Sequence, residues 1–180
     1  GGGAVYHDLG NLNFTFLVGK ADYDLDRQLC VILDAVRQFG IEAKQSGRND
    51  LEIDGQKFSG NAFYDTRGRC YHHGALLVNV DMEKLGAYLQ VSKAKLASKG
   101  VQSVRSRVVN LCQLAPEITI PKLARQLIES FQKIYGLPAQ AIHSWELPEE
   151  KLGKKEGFFA SDAWRLGTKL PFTAQLEQRY

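Results

Sequence analysis

The sequence contains few cysteines and no long apolar run, and both scarcities narrow the classes of protein to consider. Its 180 residues include three cysteines, Cys30, Cys70 and Cys112, which are far apart and without CxxC spacing. They predict neither a disulfide framework nor a zinc site, and they fit a reducing compartment. The longest apolar runs span only a few residues, so the sequence predicts no membrane-spanning helix.

Charge of one sign is not in excess either, since 23 Lys and Arg residues oppose 20 Asp and Glu residues, giving a net charge of +3. Nucleic-acid-binding domains carry a denser basic stripe, so nucleic acid is not expected as a partner. Residues 1–20 lack the basic and apolar segments of a secretory signal. The chain also starts on three glycines without an initiator Met, which indicates either processing or a piece of a longer protein.

What the sequence does contain is the ordinary content of a globular domain, with 44% hydrophobic residues. Period-two alternation predicts strands, and Asp54-Gly55 predicts a hairpin turn between two of them. Apolar stripes at helical spacing predict long helices from Leu25 and from Pro121, with short helical patterns within 82–100. The predicted strands are 11–17, 41–44, 51–53, 57–65, 69–80 and, less regularly, 141–147. The fold class is therefore α+β, a mixed, mainly antiparallel sheet with packed helices.

A glycine run and an Asn-Asp pair could both bind charged ligands. The run Gly1-Gly2-Gly3 leaves backbone N–H groups accessible to phosphate or carboxylate oxygens, although a cloning scar would have the same composition. Asn49 and Asp50 offer two oxygen ligands to a hard cation such as Mg²⁺. The same two side chains could instead satisfy the local backbone as an Asx-turn, and local chemistry alone favours the turn.

Lys57 lies on a predicted strand beside small residues. Alternation places Phe58 on the opposite face and Ser59 on the face of the lysine, while Gly60 and Ala62 leave open space. A lysine beside such a channel can act as a point charge against phosphate. The alternative is a surface lysine that discourages pairing at a sheet edge, and exposed lysines are the common case.

Two further pairs of side chains could carry chemistry. His72 and His73 are adjacent on a predicted strand, so their side chains point to opposite faces and cannot ligate one metal without distortion. One inward, hydrogen-bonded histidine is the favoured interpretation. Arg105 and Arg107, in a Ser-rich stretch predicted to be a loop, could clamp an anion or be solvated.

Taken together and in this order, the motifs resemble those of a known family, although no single motif is specific enough to show it. The segments GGGAVYHDLGNLNFTF, SGRNDLEIDGQKFSGNAFY, HHGALLVNVD and KGVQSVRSRVVNL follow one another in the chain. They resemble the successive motifs of the lipoate–protein ligase A family, closely over residues 1–135. The resemblance implies a biotin/lipoate ligase-like (class II synthetase-like) catalytic domain. It implies an enzyme that uses ATP and Mg²⁺ to activate lipoate to lipoyl-AMP and transfers the lipoyl group to a carrier lysine.

The resemblance also implies the partners and the location of the protein. The carriers would be the lipoyl domains of 2-oxoacid dehydrogenase E2 subunits and the glycine cleavage H protein. Neither nucleic acid nor a membrane is expected as a partner. The location implied is the cytoplasm, or the mitochondrion if the source is eukaryotic.

Individual residues acquire roles by matching the family motifs. Lys57 matches the lysine that contacts the lipoyl carbonyl and the adenylate phosphate, and it is the expected catalytic residue. The resemblance implies that Asp50 faces the metal. The implied nucleotide-binding residues are Gly3, Ala4, Val5, Tyr6, Asn49, Asp50 and Lys57. The implied lipoate-binding residues are Gly1, Gly2, Lys57, Ser59, Gly60, Ala62, His73 and Gly74. Leu12, Phe14, Phe58 and Leu76 are candidates for either the lipoyl tunnel or the core.

The chain departs from the family pattern at several places. The Arg-Arg-x-Ser element that precedes the glycines in the family is absent, which implies an incomplete nucleotide site. Tyr64 stands where some members carry arginine, and Ala75 replaces a common threonine. We expect residues 1–147 to be the catalytic core without the N-terminal part of the family domain. Residues 148–180 are then a linker and the start of a truncated C-terminal region.

Two other functions stay open at this level. One is a lipoyl or octanoyl transferase that uses a preactivated acyl donor, with Cys70 as the only candidate nucleophile. Its alternative role, a small buried hydrophobic residue, is the common behaviour of cysteine. The other is a non-catalytic fragment that needs a partner chain. A biotin ligase is disfavoured, because no Gly-Arg-Gly-Arg-x-Gly-Arg loop occurs in the sequence.

Overall fold

The computed structural model describes residues 5–47, 49–89, 107–165 and 167. Contacts between residues divide the chain into two compact units, Gly1–Ala139 and Gln140–Tyr180. The end predicted for the catalytic core, after residue 147, falls inside the second unit. Each unit is described by itself.

The first unit is built on a five-stranded sheet. Its strands are β1 (Asn11–Gly19), β2 (Lys44–Ser46), β3 (Asp50–Ile53), β4 (Gln56–Thr66) and β5 (Arg69–Leu77). They are ordered β1-β5-β4-β3-β2, and all neighbours run antiparallel. The parallel pairing found among the described residues is an isolated bridge between Lys57 and Val108. The predicted, mainly antiparallel sheet is therefore confirmed.

Two hairpins connect β3 to β4 and β4 to β5 through two-residue turns. Both turns have positive φ at both residues, 50° and 79° at Asp54-Gly55 and 48° and 76° at Arg67-Gly68. Such turns follow the right-handed twist of the flanking strands, and they favour Asp or Asn followed by Gly. The hairpin predicted at Asp54-Gly55 is confirmed, and the second turn uses arginine where a smaller side chain is usual.

The helices of this unit are α1 (Leu25–Arg37), α2 (Met82–Tyr88), α3 (Leu111–Leu114) and α4 (Ile120–Tyr135). Side chains of α1, α3 and α4 enclose the core against the sheet, whereas Leu85 of α2 is buried outside this cluster. Ile32 of α1, Leu123 of α4 and Leu51 of the sheet are all fully buried in one apolar cluster. Phe58 and Leu76 belong to the same cluster, so these two of the four tunnel-or-core candidates are core residues.

The ends of the long helices follow from local capping chemistry. Asp24 and Thr119 precede α1 and α4, and each accepts a hydrogen bond from a backbone N–H of the first turn. Pro121 lies in that first turn of α4, where its missing N–H costs nothing. Gly136 ends α4 with a φ of 67°, a conformation that glycine adopts without strain.

Two predicted strands of this unit have different bounds in the structure. The segment predicted at 41–44 pairs only from Lys44 onward, and Ile41 and Ala43 belong to the buried connection from α1. The strand predicted at 69–80 ends at Leu77, since the N–H groups of Val78 and Asn79 both donate to the carbonyl of Gly10 rather than continuing the ladder.

The second unit contains the helices α5 (Glu149–Ala160) and α6 (Asp162–Arg165) and a 3₁₀ turn at Ser144–Glu146. The strand predicted at 141–147 is wrong, because the His143 N–H donates to the Glu146 carboxylate at 3.1 Å and closes a local turn. The His143 and Trp145 rings also stack, with centroids 4.1 Å apart. Within the described residues of both units, no helix is long and apolar enough to cross a membrane.

Candidate active site

A cavity of about 560 Å³ opens in the first unit, against β1, β4 and β5. Its walls also include the segment before β1, the C-terminal half of α2 and the chain around Arg107. Every predicted site residue that the structure describes lines it. These residues are Val5, Tyr6, Asn49, Asp50, Lys57, Ser59, Gly60, Ala62, His73 and Gly74. The predictions for Gly1, Gly2, Gly3 and Ala4 lie outside the described residues and stay predictions.

The ammonium group of Lys57 lies over the backbone of its own strand and pairs with Asp50. Lys57 Nζ is 2.7 Å from Asp50 Oδ1, and the two side chains are only 32% and 23% exposed. A Cβ at Gly60 would come within 2.7 Å of Lys57 Nζ and 2.9 Å of its Cε. A side chain at position 60 would therefore displace the end of the lysine side chain from the space above Gly60.

A β-bulge decides which side chains share the face of Lys57. Lys57 pairs with Glu52 and Ser59 pairs with Leu51, so Phe58 has no opposing residue. The extra residue reverses the alternation after it. Lys57 consequently shares its face with Gly60, whereas Ser59 turns with Leu51 toward the core.

The predicted orientation of Ser59 is therefore wrong, because strict alternation takes no account of a bulge. Ser59 borders the cavity but is fully buried, and its Oγ has no hydrogen-bond partner among the described residues.

The chain around Val108 returns to hold the backbone of the lysine. The Val109 N–H donates to the Lys57 carbonyl at 3.0 Å, and the Gln56 side chain reaches the Val108 carbonyl at 3.5 Å. This contact brings Arg107 into the cavity wall, where it adds a second cation. Arg105, the other half of the predicted anion clamp, lies outside the described residues.

His72 and His73 point to opposite faces of the sheet, as predicted. His73 is exposed in the cavity wall, opposite Ala62 of β4. His72 is fully buried, with Nδ1 3.0 Å from Gln28 Oε1 and Nε2 3.0 Å from Asn61 Oδ1. Burial, assisted by the charge of His73, lowers the pKa of His72 to about 4. The buried ring is therefore neutral at physiological pH.

Asp8 ties the segment before β1 to the start of α2. Its carboxylate accepts hydrogen bonds from the Gly10 N–H at 2.7 Å, the Asp81 N–H at 2.9 Å and the Tyr6 hydroxyl at 3.1 Å. Burial opposes ionisation of this carboxyl, but the backbone donors outweigh burial and lower its pKa. Tyr6, which also stacks on Tyr88 at 5.9 Å, is thereby held at the cavity.

Other lining residues carried no ligand-binding prediction. Phe14 of β1 and Leu77 of β5 form apolar wall together with Leu85 and Leu89 at the end of α2. Asn13 adds a polar group to the wall. The alternation of polar and apolar residues in β1 could have predicted it, because it places Asn13 on the face opposite Phe14. The cavity therefore joins apolar walls to a cationic end at Lys57, which suits a ligand with an apolar chain and an anionic head.

Asp50 is the carboxylate available to a divalent cation at this end of the cavity. No group of three or more His, Cys, Asp and Glu residues that could hold a metal occurs among the described residues. Mg²⁺ bound with a nucleotide needs only one or two carboxylates, because phosphate oxygens and waters supply its other ligands. The donor set of Asp50 beside Lys57 thus fits a phosphate-bound Mg²⁺ and does not fit an all-protein metal cage.

Comparison with known proteins places these features in a family. Residues 1–132 match the model of the lipoyl protein ligase A/B catalytic domain. The chain belongs to this family. A lipoate-protein ligase A of Psychrobacter cryohalolentis is 42% identical over 188 aligned positions, which cover 100% of this chain and 56% of that protein.

Solved members of the lipoyl protein ligase family share the fold. LipL1 of P. falciparum in complex with lipoate has a TM-score of 0.77 at 31% identity, covering 100% of this chain and 53% of LipL1. A bipartite lipoate protein ligase, studied with its E2 lipoyl domain from Thermoplasma acidophilum, has a TM-score of 0.75 at 28% identity, covering 97% and 71%. A lipoate-protein ligase A bound with ATP has a TM-score of 0.74 at 25% identity, covering 93% and 69%.

These likenesses confirm the predicted family and its α+β ligase fold. The chain spans about half the length of the curated relative, at 56%, and of LipL1, at 53%. The region shared with the family model, residues 1–132, contains the whole described wall of the cavity.

Proposed function

We propose that the protein containing this chain is an ATP-dependent, AMP-forming lipoate–protein ligase. It activates lipoate to lipoyl-AMP and transfers the lipoyl group to a lysine of a carrier domain. One observation supports this most directly: the cavity that all the described candidate residues line also has the Lys57–Asp50 pair in its wall. Relatives of this chain have been solved with lipoate and with ATP, which supports the same two substrates here.

In the first half-reaction, a carboxylate oxygen of lipoate attacks the α-phosphorus of ATP. The bond from that phosphorus to the bridging oxygen breaks, and pyrophosphate leaves with the electron pair. Negative charge accumulates on the α-phosphate oxygens, and the ammonium of Lys57 stabilises it. Losing one such preorganised donor typically costs about 3–4 kcal/mol of transition-state stabilisation. Arg107 supplies a second positive charge in the same cavity wall.

In the second half-reaction, the neutral amine of the carrier lysine attacks the acyl carbonyl of lipoyl-AMP. The carbonyl oxygen becomes anionic, then the bond to AMP breaks and AMP leaves, while the amine proton passes to solvent or to the leaving phosphate. Lys57 acts as an electrostatic donor in both steps and forms no covalent bond. The apolar residues Phe14, Leu77 and Leu85 would bind the acyl chain.

Mg²⁺, when bound with ATP, supplies charge neutralisation on the phosphates, and Asp50 is the residue that would hold it. The carboxylate of Asp50 is the partner of Lys57 at 2.7 Å. A phosphate that attracts the ammonium away from Asp50 therefore frees this carboxylate for the cation. Asn49 would then serve the turn that carries Asp50 rather than the cation.

The carriers that fit this reaction are the lipoyl domains of E2 subunits and the glycine cleavage H protein, since both present a lysine for acylation. The relative from Thermoplasma acidophilum was studied with its E2 lipoyl domain, which supports the first of them. We place the activity in the cytoplasm, or in the mitochondrion of a eukaryotic source, and the three free cysteines fit such a reducing compartment.

The transferase alternative requires a nucleophile that the cavity does not offer. Cys70 is buried in β5, between Val18 of β1 and Asp65 of β4, and the described cavity wall contains no cysteine. A thioester on Cys70 would need this part of the sheet to open. The buried, packing role of Cys70 is the better interpretation.

The test is lipoate-dependent exchange of labelled pyrophosphate into ATP, measured with the complete polypeptide and then with two matched variants. Lys57→Ala should lower the exchange rate about 10²- to 10³-fold, the usual effect of removing one such donor. Lys20→Ala is the control, because Lys20 makes a comparable ion pair with Asp65 at 2.8 Å but lies outside the described cavity wall. A well-folded wild-type protein that exchanges no pyrophosphate would exclude the ligase and favour a non-catalytic role.

A further inference from the structure

A chain of buried polar groups runs from α1 across the sheet to the turn before β3. Gln28 and His72 are fully buried and Asn61 is nearly so. Gln28 contacts His72 at 3.0 Å, His72 contacts Asn61 at 3.0 Å, and Asn61 reaches the carbonyl of Asn49. That carbonyl accepts both the Asn61 side-chain amide at 2.9 Å and the Asn61 backbone N–H at 2.8 Å. The chain therefore ends one residue before Asp50.

The direction of the hydrogen bonds follows from the partners. Asn61 uses its Nδ2 to donate to Asn49, so its Oδ1 must accept the proton that His72 carries on Nε2. A neutral imidazole has only one N–H, which leaves Nδ1 as an acceptor. Gln28 then has to present its amide nitrogen to Nδ1, and Gln28 Nε2 is a buried atom without a partner when its oxygen faces the ring. Rotating the Gln28 amide by half a turn places its N–H group against Nδ1 and supplies the donor that this atom needs.

Aromatic rings and one glycine enclose the His72–Asn61 contact. The rings of Phe14, Phe16 and Phe63 surround His72, with centroids 5.4, 5.5 and 4.9 Å from the imidazole. A Cβ at Gly74 would come within 2.7 Å of both Asn61 Oδ1 and the Phe14 ring. The glycine thus provides the space in which Asn61 meets His72.

A polar chain of this kind is not needed for a stable core. Replacing both members of a buried hydrogen-bonded pair by apolar groups is often neutral or stabilising, whereas removing one member is costly. The polar chain instead orients its members: it fixes the side chain of Asn61, and Asn61 in turn holds the Asn49 carbonyl in one position. Asn49 is adjacent to Asp50, the partner of Lys57 at 2.7 Å.

We propose that His72 is a positioning residue for Lys57, acting through Asn61 and the Asn49–Asp50 turn. It does not touch the cavity contents itself; its effect is to keep the carboxylate of Asp50, and with it the lysine ammonium, at the cationic end of the cavity. The kinetic part of this inference rests on the proposed ligase function. The structural part does not, and the two can be measured separately.

The structural measurement is amide hydrogen exchange and ¹⁵N NMR of the complete polypeptide. Wild-type His72 should be the neutral tautomer with its proton on Nε2. In His72→Phe, the Asn61 amide and the amides of the Asn49–Asp50 turn should exchange faster, while those of Ile32 and Leu123 keep their protection. Unchanged protection at Asn61, or a proton on Nδ1 of the wild-type ring, would overturn the proposal whether or not the protein is a ligase.

The kinetic measurement compares substitutions at His72 in pyrophosphate exchange. His72→Phe should lower kcat between about tenfold and a hundredfold, the range expected when a reacting group is misplaced by about 1 Å, with KM for lipoate little changed. His72→Gln should recover most of the loss, because its amide can place a donor where Nε2 lies. The double variant with Asn61→Ala should be no slower than Asn61→Ala alone.

Controls separate positioning from simple loss of stability. Leu123→Ala removes a fully buried side chain of α4 and should lower the melting temperature without changing kcat. If His72→Phe fails to fold, Gln28→Leu tests the other end of the chain with an apolar side chain of similar size. Equal kcat values for the wild type and for folded His72→Phe, or equal losses in His72→Gln and His72→Phe, would refute the positioning role. A wild type that exchanges no pyrophosphate would reject the proposed function. The amide hydrogen-exchange data would then still test the hydrogen-bonded chain.

Discussion

Burial of His72 makes the stability of the first unit depend on pH in a predictable direction. The pKa of His72 is lowered from 6.5 to about 4, chiefly because burial penalises the charged ring and secondly because His73 is nearby. Between these two values the unfolded chain binds a proton that the folded chain does not. The free energy of unfolding therefore rises with pH across this window. The contribution is fully present above pH 6.5 and is lost as the pH falls toward 4.

The size of the effect follows from the separation of the two pKa values. A lowering from 6.5 to about 4 corresponds to about 3 kcal/mol at most, since each tenfold change in a protonation equilibrium is worth about 1.4 kcal/mol. For a domain whose total stability is about 5–15 kcal/mol, such a loss is large. It should move the urea midpoint of the first unit by about 1–2 M, given typical urea slopes for small domains.

The assay is urea unfolding of the complete polypeptide at intervals between pH 4 and 7.5, for the wild type and for His72→Gln. Carboxylates that titrate at the acid end, such as Asp8 and Asp34, are present in both proteins and cancel in the difference. The wild type should lose stability relative to the variant as the pH falls. Parallel stability curves for the two proteins would show that the histidine is not held neutral in the core, and the reasoning would fail.

Three further predictions follow from single contacts. Gly60→Ala should reduce pyrophosphate exchange at least tenfold, because its Cβ would lie 2.7 Å from the Lys57 ammonium; normal exchange would contradict the lysine position. Gly86→Ala, in helix α2 with nothing within 4 Å of its Cβ, should raise the free energy of unfolding by about 0.5–1 kcal/mol, measured by urea, and a loss of stability would contradict the open space. Lys133→Met removes the 2.7 Å partner of the largely buried Asp34 and should cost about 1 kcal/mol at pH 7 because the lysine itself is exposed. That loss should vanish once Asp34, whose pKa is lowered despite burial by the hydrogen bond from Lys133, is protonated at low pH.

Features that depend on neighbouring residues were predictable from the sequence. The Asp54-Gly55 turn needs only a chain that accepts positive φ twice. The helix from Leu25 follows from its apolar stripe and from Asp24, which caps its first turn. The division of His72 and His73 between two faces needs only the alternation of a strand. The order of the motifs predicted that the candidate residues share one site, and those that the structure describes do line one cavity. No single motif predicted this.

Features that depend on distant partners were not predictable. A bulge at Phe58 depends on how β4 registers against β3, so counting along one strand put Ser59 on the wrong face. The partner of His72 in α1 is Gln28, 44 residues earlier in the chain, and nothing local links them. Arg107 was recognised as a possible anion ligand, but its place in the cavity depends on the backbone contact between Lys57 and Val109.

The bulge at Phe58, the small residue Gly60 and the Lys57–Asp50 ion pair connect two predicted roles. These are the contact of the lysine with phosphate and the contact of the aspartate with a metal. Without the extra residue at Phe58, Lys57 would not share a face with Gly60, and a Cβ at position 60 would displace its ammonium from the strand. Asp50 offsets the charge of this partly buried lysine. Under the proposed function, an incoming phosphate would replace the carboxylate and release Asp50 to a phosphate-bound cation. The two contacts would then form in one coupled exchange, so we expect Asp50→Asn to impair both together.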